Sequence, residues 1–108
     1  MNWQEQFEQE ITHAEAALRA GEQGKARVCA RRAAGVISKE TLRRQNVQAL
    51  PVSALECIQK LSELESSAPE VRRICANFLL RVNEEKGLPD GVDLIAQARW
   101  LRAELIGD

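Results

Sequence analysis

The stretch from Lys25 to Leu42, KARVCARRAAGVISKETL, constrains the fold more than any other part of this chain. At helical pitch, Ala26, Cys29, Ala30, Ala33 and Ile37 fall on one face, at i, i+3, i+4, i+7 and i+11. Alanine dominates that face, so neighbouring helices can approach it closely. Val28, Gly35 and Leu42 form a second stripe on the opposite side, with heptad spacing. Lys25, Arg32, Lys39 and Arg43 line one flank, and Arg27 and Arg31 line the other. An ordinary surface helix has one apolar face. Two such faces identify either a central helix or a surface helix that also meets a partner.

The flanking segments supply helices to pack around it. Trp3, Phe7, Ile11, Ala14 and Leu18 step by four, four, three and four, which predicts a first helix from about Asn2 to Ala20, stopped by Gly21. The second helix then runs from Glu22 to about Gln45. Pro51 cannot stand in a helix interior, so Asn46–Pro51 is a loop. Ser53-Ala54-Leu55-Glu56 reads as a capping box, with Val52 and Cys57 placed for a hydrophobic staple. The third helix follows to about Glu65. Ser67 and Glu70 repeat the S-x-x-E signal around Pro69 and open a fourth helix, expected to reach Lys86 before Gly87. Val71, Ile74, Cys75, Phe78 and Val82 form its stripe. After a turn at Asp90–Asp93, a fifth helix to about Ile106 buries Leu94, Ala98, Leu101 and Leu105. Trp100 points away from that stripe, beside Val92, Ala96 and Ala103. It is either a lid over a neighbouring loop or an interface residue, a role in which Trp is enriched.

No segment alternates at period two and no repeat recurs, so the expected fold is all-α, an up-and-down bundle of about five helices in a single domain. A chain of 108 residues can bury roughly two-thirds of its unfolded surface and needs no metal or disulfide to fold. The three cysteines are scattered, with no C-x-x-C, and fit reduced thiols in a core. One histidine, His13, lies opposite the apolar stripe of its helix and reads as a solvated side chain. There is no P-loop, no G-x-G-x-x-G and no G-x-S-x-G. The residue inventory therefore implies no enzyme, no metal and no cofactor. The N-terminal MNWQEQFEQE lacks the basic and apolar regions of a signal peptide, and no apolar run has transmembrane length, so the expected location is the cytoplasm.

Charge is unevenly distributed. Five glutamates and one arginine leave Met1–Gly24 at −4, while seven cations and one glutamate leave Lys25–Arg44 at +6. The two segments either neutralise each other as adjacent helices, or the basic strip docks an acidic partner or phosphates. A net charge of −1 and a pI near 5.9 argue against a dedicated nucleic-acid binder.

The order of elements resembles the HEPN family of helical-bundle proteins. The matching stretches are AEAALRAGEQGKARVCARRAAGVI, SALECIQKLSEL, PEVRRICANFLLRV and DLIAQARWLRAEL. RNA-cleaving members of that family carry an R-x4–6-H motif on an inner helix. Here the nearest spacing is Arg72-x4-Asn77, with asparagine in place of the imidazole. Asparagine cannot exchange protons near neutral pH, so the resemblance implies a non-catalytic member. It further implies a homodimer that binds a nucleotide, RNA or a partner protein such as a small nucleotidyltransferase. The ligand-binding candidates are then Arg27, Arg31, Arg32, Arg72 and Asn77. The dimer candidates are the Val28, Gly35 and Leu42 stripe and the patch around Trp100. A second resemblance is to tetratricopeptide adaptors, through Gly21, Ala26, Ala30 and Ala33, although only one such hairpin is visible.

Overall fold

The computed structural model describes residues 1–80 and 93–107, and those residues form an all-α bundle. Its helices are α1 (Trp3–Arg19), α2 (Gln23–Arg44), α3 (Ala54–Glu63), α4 (Pro69–Leu79) and α5 (Leu94–Leu105). No described helix is long and apolar enough to cross a membrane.

Three helices start by the same device. The side chains of Asn2, Ser53 and Asp93 accept hydrogen bonds from the backbone N–H groups of Glu5, Glu56 and Ala96, at 2.8, 3.1 and 3.0 Å. Each satisfies a donor that the first turn leaves without an intrahelical partner. Two helices end alike. After α1, the N–H groups of Gly21 and Glu22 donate to Leu18 and Ala17. After α2, those of Asn46 and Val47 donate to Arg43 and Leu42. Both closures need a left-handed residue just beyond the helix, and Gly21 (φ 78°) and Asn46 (φ 60°) supply it.

Helix α2 occupies the centre, packing against α1, α3 and α5. From Ala33 to Leu42 it is buried at Ala33, Ala34, Gly35, Ile37, Ser38, Glu40, Thr41 and Leu42, so it is enclosed on nearly every side. The hydroxyls in that run return to their own helix: Ser38 donates to the Ala34 carbonyl and Thr41 to that of Ile37, both at 2.8 Å. Around α2 the core collects Phe7 and Ile11 from α1, Ile58 and Leu61 from α3, Ile74 and Phe78 from α4, and Ala98 and Leu101 from α5. Each large side chain buried there contributes about 1.5–3 kcal/mol by leaving water.

The expected second stripe of α2 is resolved by this packing. Leu42 is fully buried and Gly35 lies under the start of α3. A methyl group at position 35 would stand 2.7 Å from Ala54 Cα and closer still to Ala54 Cβ. Gly35 therefore permits a close approach of α3 to α2 within the chain. Of the stripe, only Val28 reaches the surface. Trp100 is half-buried and packs against the core, as a lid would. Val92 lies outside the described residues.

Four local expectations change. Burial on α1 ends at Ala17, and Leu18 is left at the rim, exposed. The small Ala17 and Ala26 flank the Gly21 turn, and both are buried as the chain doubles back. On α3, Val52 is 92% exposed, so the hydrophobic staple does not form, although the Ser53 cap does. Ser67 does not cap α4. Pro69 takes the first helical position, Ala68 before it is held extended (ψ 153°) and becomes the cap, and Ser67 Oγ donates to the Leu61 carbonyl at 2.6 Å. Finally, α4 ends at Leu79, because Leu80 has extended backbone (φ −61°, ψ 126°). The expected continuation through Val82 to Lys86 lies outside the described residues.

Candidate binding surface along the central helix

The basic residues of α2 divide according to whether the chain neutralises them. Arg43 donates to Glu40 through Nε and Nη2 at 3.0 and 2.6 Å, and Arg44 Nε donates to the same carboxylate at 2.8 Å. Spacings of three and four residues bring both guanidinium groups back over one turn. The hydrogen bonds from Arg43, reinforced by Arg44 and opposed by burial, hold the Glu40 pKa down at about 2. Lys25 stands 3.8 Å from Glu22. Arg27, Arg31, Arg32 and Lys39 make no ion pair among the described residues.

The acidic residues of α1 do not reach them. Glu8 accepts from Arg102 at 2.9 Å and Glu15 pairs with Arg99 at 3.3 Å, both on α5. The expected neutralisation between the first two helices is therefore corrected. With the Phe7, Ile11 and Ala14 face of α1 buried, Glu8 and Glu15 on its flank meet arginines of α5. Arg102 also lies over the rings of Trp3 and Phe7, 5.1 Å from each centroid, and Arg44 lies 5.8 Å from that of Trp3. These cations stack against aromatic faces and tie α1 to its neighbours.

Two of the unneutralised cations share a groove of about 430 Å3 between α1, α2 and the segment entering α3. Arg32, Lys39 and Arg43 line it on α2, and Trp3, Gln6 and Glu10 on α1. Gly35 and Val36 lie between the cations, and Leu50, Val52, Ala54 and Cys57 complete an apolar side. A depression of about 380 Å3 around Gln9, His13 and Arg32 continues it along α1. Arg27 and Arg31 line a separate groove of about 440 Å3, with Leu55, Phe78, Leu79 and Leu80. The structure thus divides the expected trio of arginines between two sides of α2.

Arg72 and Asn77 join neither groove. Arg72 Nη2 donates to the carbonyls of Leu64 and Glu65, at 2.8 and 3.3 Å, just beyond the end of α3. Asn77 Nδ2 donates to Gln97 Oε1 at 3.0 Å, linking α4 to α5. Five residues apart on a helix, they also face different directions. Both have structural roles within the chain, and the geometry does not bring them together as a ligand site.

The titratable groups around the groove are each accounted for by exposure or burial. His13 is exposed, with Nδ1 3.8 Å from Glu10. The Cys57 thiol donates to the Pro51 carbonyl at 3.4 Å, and burial pushes its pKa up, away from the reactive thiolate. Among the described residues no group of three or more His, Cys, Asp or Glu side chains could hold a metal ion. Outward-facing cations beside an aliphatic wall can instead hold an anionic, partly apolar partner. Sequence reasoning missed Leu50 and Val52 as parts of this wall. The signal was present as a valine immediately before the Ser53 cap, but it read as a staple. No family model matches the chain, and no curated protein or solved structure matches it either.

Proposed function

We propose that this chain is a non-catalytic binding module, resembling HEPN proteins in the order of its helices, that uses the basic residues along the two sides of α2 to hold an anionic partner. The observation that carries this reading is the set of cations on α2, Arg27, Arg31, Arg32 and Lys39, that make no ion pair among the described residues. The partner is a protein, such as a small nucleotidyltransferase, a nucleotide or RNA. The return of α5 onto α1 and α2 favours a closed bundle over a tetratricopeptide adaptor, in which each helix pair would contact only its neighbours. The test pairs affinity capture with an activity control. Wild-type protein and an Arg32→Ala/Lys39→Ala variant serve as bait, and partners are identified by mass spectrometry. A partner retained by wild type and depleted with the variant is expected. Single-stranded and structured RNA should stay intact on incubation. RNA cleavage that disappears in Arg72→Ala would overturn the non-catalytic reading.

A further inference from the structure

The groove between α1 and α2 carries enough detail to specify its occupant. Along α2, Arg32 and Lys39 are seven residues apart, about 10 Å of helix axis, and Arg43 adds about 6 Å more. The three cations therefore mark out about three turns of a helix. Gly35 and Val36 fall between them, so charge and apolar surface alternate along the groove. The opposite wall is aliphatic, and its rim is Val52, a branched side chain held out in solvent.

Charge on the groove is also layered. Glu40 is almost fully buried and committed to two arginines, and the Glu10 side chain is only 21% exposed. Arg32 and Lys39 are exposed, and so is most of the Arg43 side chain. An approaching molecule meets the cations before the carboxylates. Nucleic acid is the weaker fit. Single-stranded nucleic acid relies on aromatic stacking platforms. The aromatic residue lining this groove, Trp3, already has guanidinium groups of Arg44 and Arg102 over its ring.

We infer that the α1–α2 groove docks an acidic amphipathic helix of a partner protein, with aliphatic side chains against Val36 and Val52 and carboxylates about two turns apart against Arg32 and Lys39. The inference rests on the binding-module reading and names the chemistry of its partner. It is an instance of helix-in-groove recognition, in which apolar anchors at i and i+4 supply affinity and flanking charges supply orientation and rate of encounter.

The experiment screens a display library of random peptides, about 16 residues long so that four turns can form, against the wild-type protein. Enriched sequences are expected to carry aliphatic residues at i and i+4 flanked by acidic residues about seven apart. The most enriched peptide, synthesised with a fluorescent label, should bind wild type in an anisotropy titration and lose about tenfold or more in affinity to Val52→Glu and to Lys39→Glu. Both sites are exposed, so circular dichroism of the variants should match wild type. Enrichment of basic or non-amphipathic peptides, or equal binding by both variants, would overturn the inference. A labelled single-stranded RNA that binds more tightly than the peptide, and is lost in Lys39→Glu, would also overturn it while leaving the binding-module reading in place. If neither peptide nor RNA binds at high micromolar concentration, both readings fall.

Discussion

At position 35 one absent methyl group sets how closely α2 and α3 approach. Glycine inside a helix costs about 1 kcal/mol relative to alanine. The chain tolerates it because the backbone of Ala54 sits where a Cβ would be. Gly35→Ala should therefore destabilise the protein, by ~1–2 kcal/mol once the gain in helix propensity is set against the overpacking. Urea unfolding of the variant measures this, and a more stable variant would mean that α3 yields without penalty. The glycine itself was legible in the sequence, as part of a heptad-spaced stripe. What covers it was not, because a stripe reads the same whether a neighbouring helix or a second molecule lies over it. The same ambiguity attached to Trp100. By contrast, Phe7, Ile11, Ile37, Ile74, Phe78 and Leu101 were legible as core from period alone, and all are buried. On α1 and α4 one apolar face dominates, so there was only one way to turn them, and Ile37 and Leu101 lie on the longer of two stripes on α2 and α5.

The helices show where local signals suffice and where they compete. Ser53 and Gly21 work as a reader of the sequence would expect, since each acts on its own turn. Ser67 was misread because its signal overlaps that of Pro69, and the fixed proline geometry decides the start of α4. The end of α4 at Leu79 had no signal, since apolar spacing continues past it. At the other end of the scale, Glu40 anchors the last turn of α2 through Arg43 and Arg44. Its pKa falls from an ordinary 4.5 to about 2 on folding. A depressed carboxylate stabilises the folded state fully above pH 4.5, and that contribution is lost as pH falls towards 2. Glu40→Gln removes the titrating group. The fall in stability between pH 6 and pH 3, followed by urea titration, should be shallower in the variant than in wild type. Parallel slopes would assign the acid sensitivity to other carboxylates.

For the molecule as a whole, the fold follows from α2 being enclosed on nearly every side between Ala33 and Leu42. The order and class of the described helices were legible because each shows helical spacing and most of their ends carry proline, glycine or capping residues. The candidate site was legible only as a strip of positive charge. That the strip splits into two grooves, and that α1 gives its acids to α5, depends on how helices rotate about their axes, which spacing alone leaves undetermined. Burial of the three cysteines has a practical consequence. Cys29, Cys57 and Cys75 are free thiols at most 4% exposed, one on each of three successive helices, and burial pushes the Cys75 pKa up to about 11. Alkylation at neutral pH must then wait for each helix to open, which makes the thiols three internal clocks on local unfolding. Peptide mapping after timed exposure to iodoacetamide should show Cys57 modified first, because its helix is short and its thiol lies beside the groove. A peptide docked between α1 and α2 should slow that clock and leave the rates at Cys29 and Cys75 nearly unchanged, so occupancy of the groove could be timed without any added label.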